Sequence, residues 1–142
     1  MSGRKRVLIL CTGNSARSQM AEGLLREMGR DRFEVESAGV SPSRVRPEAI
    51  EAMREVGIDI SGHRSKSADE FTGQSFDYII TVCDNARETC PAFPGHAVRI
   101  HQSFEDPPVP GAADPNTTMS VFRRVRDEIR EWVREFVAKS NA

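Results

Sequence analysis

Cys11 stands six residues before Arg17 in the stretch Cys11-Thr-Gly-Asn-Ser-Ala-Arg17, a C-x5-R spacing. The stretch separates an apolar, strand-like run (6–10) from a helical pattern that begins at Ser18. A short turn between strand and helix points backbone N–H groups inward as an anion nest. The following helix adds its positive N-terminal end. Gly13 is expected to supply a backbone conformation that a Cβ would resist, and Arg17 to offer paired N–H donors to a tetrahedral oxyanion. The residues expected to bind that oxyanion are Thr12, Gly13, Asn14, Ser15, Ala16, Arg17 and Ser18. The same field is expected to lower the Cys11 pKa below the ordinary thiol value of about 8.5, so that thiolate dominates at neutral pH. Ser18 is a further expected donor to that thiolate. Cys11 is then an activated nucleophile facing a bound oxyanion. Bare C-x5-R recurs by chance, so the strand–turn–helix setting carries the weight.

Displacing oxygen from an oxyanion requires an acid for the leaving group. The candidate is Asp106 in the EDPP stretch, with Glu105 its rival.

Two further cysteines, Cys83 and Cys90, lie seven residues apart around a segment expected to hold one or two helical turns. Hydrolysis needs one cysteine, whereas three suggest sulfur transfer. Seven residues of regular helix rise about 10 Å, and a disulfide wants Cα atoms roughly 4.4–6.8 Å apart. A Cys83–Cys90 bond therefore requires that segment to unwind. Asp84 and Asn85 suit a turn, and Pro91 and Pro94 limit the helix. No C-x2-C is present, and His63, His96 and His101 are scattered without ligand spacing, so no metal site is expected.

The elements that must position these groups follow from periodicity. Strands are expected over 6–10, 33–37, 77–83 and 96–100. Helices are expected from Ser18 to Met28, from Pro47 to Val56, briefly after a Ser67 cap, and from Thr117 to Lys139. The last carries one apolar stripe and expected i,i+4 pairs Arg123–Asp127 and Arg124–Glu128. This alternation implies an α/β fold: a single domain over 1–142, with a four-stranded parallel sheet and helices on both faces. Sites in such sheets lie at the carboxyl ends of the strands, where Cys11 and Cys83 are both expected.

Composition bounds the class. The 142 residues carry a net charge of −1, with 38% hydrophobic and 29% charged residues, which is globular and offers no basic surface for nucleic acid or membrane. The apolar run after the basic N-terminus is too short for a signal sequence. The cytoplasm is the expected compartment, where thiols stay reduced. An odd cysteine count also argues against purely structural pairing.

CTGNSARSQMAEG, ESAG, AIEAMREVGIDIS, TVCDNARETCP, FEDP and FRRVRDEIREWV together resemble the thioredoxin-coupled arsenate reductases, which share the low-molecular-weight protein tyrosine phosphatase fold. The resemblance covers nearly the whole chain. It implies attack of Cys11 on arsenate held by Arg17, with Asp106 as acid. Cys83 then attacks Cys11 to release arsenite and leave a Cys11–Cys83 disulfide. Cys90 moves that bond to Cys83–Cys90 for reduction by thioredoxin, by serial thiol–disulfide exchange. It implies arsenic detoxification with no tightly bound cofactor, and a weak phosphatase side activity; the charged face of the last helix offers no dimer surface, so a monomer is expected. Ala16 stands where some members carry another cysteine. Some members bind potassium through residues similar to Asn14, Glu22 and Ser37 plus an aspartate; here the fourth place is Lys66, and its ammonium is expected to replace the cation. A phosphotyrosine phosphatase and a redox-sensing or oxyanion-binding regulator are the competing readings.

Overall fold

The computed structural model describes residues 4–83, 93, 95–109 and 111–139. Four parallel strands form one sheet: β1 (Lys5–Cys11), β2 (Phe33–Gly39), β3 (Tyr78–Thr81) and β4 (Val98–His101), in the order β2-β1-β3-β4. Among the described residues three α-helices accompany them: α1 (Arg17–Met28), α2 (Pro47–Arg54) and α3 (Pro115–Lys139). β1 is central, and Val7 to Cys11 are all buried, which is why its sequence is an unbroken apolar run rather than an alternation.

Register assigns the faces. Val7 and Ile9 share a face with Val35, Tyr78 and Ile80. There Phe136 of α3 packs on Phe33 and Tyr78 at ring separations of 5.5 and 5.1 Å. α1 lies on the same face, its Glu22 accepting from Ser37. Leu8, Leu10, Ala38 and Ile79 look the other way. That face is covered by the chain around a short 3₁₀ helix, Ala68–Phe71. Arg6, of the same parity as Leu8, lies 4.5 Å from the Phe76 ring, and Phe76 contacts both Phe71 and Phe93. Helical segments thus flank both faces.

The expected elements recur with shifted bounds. Ser67 does cap the short helix, accepting from the Asp69 N–H at 3.1 Å. α2 ends two residues early, and the chain turns at Gly57, φ +83°. α3 begins two residues early because Asp114 takes the Thr117 N–H at 3.0 Å and Pro115 suits the first turn. β3 stops at Thr81, so Cys83 lies two residues past the strand. There β1 is turning into its loop and no longer offers a ladder. The Arg123–Asp127 pair does not form. Arg123 instead binds Glu55 beside α2 through Nε and Nη2, a forked geometry that a same-helix partner does not match. Asp127 pairs with Arg126, while Arg124–Glu128 forms as expected. The helical turns expected before Cys90 lie outside the described residues.

Candidate active site

Strand order reverses direction between β1 and β3, and the crevice at their carboxyl ends is where such sheets bind ligands. Cys11 ends β1 at 2% exposure, and the loop to α1 follows. Its carbonyls are tied outward one after another. Cys11 O accepts from Val40 N, Thr12 O from Ser41 N, Gly13 O from Ser43 N, Ser15 O from Arg46 N and Ala16 O from Met20 N, all at 2.9–3.1 Å. The Asn14 carbonyl takes Gln19 Nε2 at 3.1 Å. Among the described residues, the N–H groups of 13–16 donate to no backbone carbonyl. The N-cap of α1 is Ala16, with no side-chain oxygen to satisfy the first turn. Loop donors and the helix end together form an anion cradle.

The left-handed residue is Asn14, φ +47°, and not Gly13, whose missing Cβ would meet only ordinary contacts. Asn14 is fully buried and replaces the glycine by side-chain bonding. Its Nδ2 donates to Ser18 Oγ (2.8 Å) and Ser37 Oγ (2.9 Å), and its Oδ1 accepts from Gln19 Nε2 (3.0 Å) and Lys66 N (2.8 Å). The close approach falls instead at Gly39, beside Cys11 in register, where a Cβ would sit 2.5 Å from Thr12 O. Ser18 is buried in the Asn14 network; that bond uses its oxygen and leaves its proton unengaged.

Cys83, also buried, comes to the same place. Its sulfur lies 3.2 Å from Thr12 Oγ1, and neither it nor Cys11 is in a disulfide. This overturns the expected thiolate at Cys11. The thiol is pushed up, first by its hydrogen bond to Cys83 and then by burial, against the pull of Arg17 and the Thr12 N–H. The expectation weighed the loop's donors and left out the second sulfur. Two neighbouring thiols that interact this strongly titrate as a pair. Cys90 lies outside the described residues.

Arg17, at 11% exposure, donates from Nη1 to Phe104 O at 3.2 Å and places Nη2 3.4 Å from Asp106 Oδ1. Glu105 turns away to Arg124 at 2.7 Å, so geometry separates the two rival acids.

Glu22 is buried beside two cationic groups, Arg26 Nε at 2.9 Å and Lys66 Nζ at 3.8 Å, with His63 Nε2 at 3.9 Å. With Lys66 beside this carboxylate, the surroundings do not suit a bound potassium ion. Asn14 receives the Lys66 backbone N–H, not its ammonium. No group of three or more His, Cys, Asp and Glu among the described residues is placed to hold a metal. His63 is half-buried, its Nδ1 2.9 Å from Gln19 Oε1, and burial pushes its pKa below 6.5. Sequence reasoning missed Gln19, which lies off the apolar stripe of α1 yet is fully buried under the loop.

The model of the low molecular weight phosphotyrosine protein phosphatases matches residues 6–142. The chain belongs to that family. Within it, an arsenate reductase of Halalkalibacterium halodurans is 43% identical over 133 residues, covering 94% of this chain and 95% of that protein. An arsenate reductase solved in its oxidized state superposes with a TM-score of 0.80 at 36% identity, covering 95% and 98% of the two chains. Another, in the phosphate-binding state, gives 0.77 at 35% identity, with the same coverage. In this family member, no helix of the described residues is long and apolar enough to cross a membrane.

Proposed function

We propose that this chain reduces arsenate to arsenite by a thiol–disulfide relay. The supporting observation is a second buried thiol at the anion cradle, the Cys83 sulfur 3.2 Å from Thr12 Oγ1, one residue past Cys11. Phosphate-ester hydrolysis has no use for a second thiol there, whereas a reductase needs it within reach of the first. Arsenate sits on the loop N–H groups of 12–18 and the Arg17 guanidinium. The Cys11 thiol passes its proton to an arsenate oxygen as its sulfur attacks arsenic(V), and an arsenic–oxygen bond breaks, with Asp106 giving the proton that lets that oxygen leave as water. Cys83 then attacks the Cys11 sulfur. The sulfur–arsenic bond breaks with its electron pair on arsenic, giving arsenite and a Cys11–Cys83 disulfide. Cys90 attacks Cys83 and frees Cys11, and the Cys83–Cys90 disulfide is reduced by thioredoxin. Asn14 and Gln19 hold the loop, and Thr12 orients the Cys83 sulfur. We place the protein in a reducing cytoplasm, as a monomer with no resident cofactor.

The test is arsenate-dependent NADPH oxidation with thioredoxin and thioredoxin reductase. Wild type should turn over, while Cys83→Ser and Cys90→Ser should not. Turnover by Cys90→Ser would replace the three-sulfur relay with direct resolution by an external thiol. A phosphotyrosine phosphatase is the second reading, supported by the family match and the shared cradle. Under it, Cys83→Ser hydrolyses aryl phosphates normally and no variant reduces arsenate.

A further inference from the structure

Asp106 sits in a stretch that cannot fasten itself. Pro107 and Pro108 follow it and carry no N–H. The last backbone tie to the sheet is Phe104 N to Val82 O at 3.1 Å. Beyond it Arg124 holds the Glu105 side chain, and two guanidinium groups hold the strip's carbonyls, placed symmetrically about the Asp106 carboxylate. Arg17 Nη1 holds the carbonyl two residues before Asp106, at Phe104. Arg46 Nη1 holds the carbonyl two residues after it, at Pro108, at 3.0 Å.

Arg46 is itself held firmly. Its backbone N–H donates to Ser15 O in the anion loop at 2.9 Å, its Nε lies 3.2 Å from Glu48, and its guanidinium stacks 5.0 Å from the Phe122 ring of α3. The side chain is 13% exposed, and its Nη2 is buried without a hydrogen-bond partner among the described residues. A buried charged donor left unused is costly and calls for an explanation. Fixing the other donors on Glu48 and Pro108 supplies one.

We propose that Arg46 is a positioning residue for the reaction: it sets the far end of the Asp106 strip against the anion loop so that the carboxyl meets the leaving oxygen. This rests on the reading of Asp106 as the acid. Substitution by Met, Lys or Gln leaves the Arg46 N–H bond to Ser15 in place, so the cradle and its oxyanion affinity are preserved. What is lost is alignment, and small misplacements of reacting groups cost up to about a hundredfold in rate.

The experiment is a double-mutant cycle on the reduced full chain: wild type, Arg46→Met, Asp106→Asn and the combination. Each is mixed with arsenate and quenched for thiol titration, which follows the first disulfide without any external reductant. Arg46→Met should slow the rate at saturating arsenate by roughly ten- to a hundredfold. The half-saturating arsenate concentration should stay within about twofold, since the cradle's backbone bonds survive. In the Asp106→Asn background the same change should have no further effect. Arg46→Lys, which keeps a charged donor, should recover part of the rate. Should the methionine variant lose its folded far-ultraviolet signal, Arg46→Gln takes its place in the cycle. If the two substitutions multiply, or if the Arg46 change raises the half-saturating concentration instead, Arg46 does not act through Asp106 and the proposal falls alone. If Asp106→Asn reacts at the wild-type rate, the acid assignment falls and the proposal with it.

Discussion

The Arg17 guanidinium, 11% exposed, stands 3.4 Å from the Asp106 carboxylate, which is 67% exposed. The cation is fixed by its burial and by Phe104, while the carboxylate keeps access to water. This asymmetry suits the proposed roles: one group holds charge on the substrate, the other exchanges a proton with solvent.

Arg17→Lys should raise the half-saturating arsenate concentration and lower the maximal rate, since an ammonium cannot present two parallel donors. Asp106→Asn should lower the maximal rate by roughly a hundredfold or more, the ordinary contribution of a general acid, with binding little changed. Steady-state arsenate kinetics separate the two patterns.

Removing the second sulfur should release the first. In Cys83→Ala the hydrogen bond that most strongly holds Cys11 protonated is gone, along with its like-charge repulsion. Thiolate then forms at lower pH. Iodoacetamide should modify Cys11 several-fold faster at neutral pH than in wild type, read by mass spectrometry of the Cys11 peptide. An unchanged or slower rate would mean that burial alone sets the titration.

Gly39→Ala should damage the cradle more than the sheet. The added methyl would meet Thr12 O and Asn14 N, at 2.5 and 2.9 Å, both of them backbone atoms of the loop. Phosphate binding by calorimetry should weaken by at least about tenfold, with an unfolding cost on the order of 1–3 kcal/mol for an overpacked buried position.

His63 predicts a pH effect of definite sign. Its folded pKa lies below the 6.5 of the unfolded chain because burial disfavours the cation. Between those two values the unfolded state binds more protons, so stability falls as pH drops through 6.5 toward the folded value. The lowered carboxylates Glu55, Asp59, Glu70 and Asp114 act in the same direction, but only in more acid solution. His63→Gln, which retains a donor toward Gln19, should lose the first of these two phases and keep the second in thermal unfolding measured across pH.

Lys66 predicts indifference to potassium. Lys66 is 8% exposed, and its ammonium, 3.8 Å from Glu22, already supplies the positive charge there. Replacing potassium with sodium at constant ionic strength should leave arsenate turnover unchanged. A strong rise with potassium would show that the ammonium does not take the cation's place.

Local patterns determined the elements and the chemistry. An apolar run between turn residues specifies β1, a 3.6-residue stripe specifies α3, and C-x5-R between strand and helix marks the cradle before any coordinates are drawn. The resemblance of TVCDNARETCP and its neighbours reached the arsenate reductases that the relatives are named for. What only the tertiary structure decided concerns groups far apart in the chain. Spacing assigned the strained turn to Gly13, but Asn14 takes it because Ser37, Gln19 and Lys66 converge on its amide. The loop's donors implied a thiolate at Cys11, but Cys83, seventy-two residues later, and burial push that thiol up. A helix face offered Asp127 to Arg123, but Glu55 beside α2 makes the better fork. Hydrophobic periodicity and turn chemistry are local and visible one residue after another. Which polar groups meet in a buried space depends on the packing of the whole sheet, and there burial and partners rather than residue type set the charge.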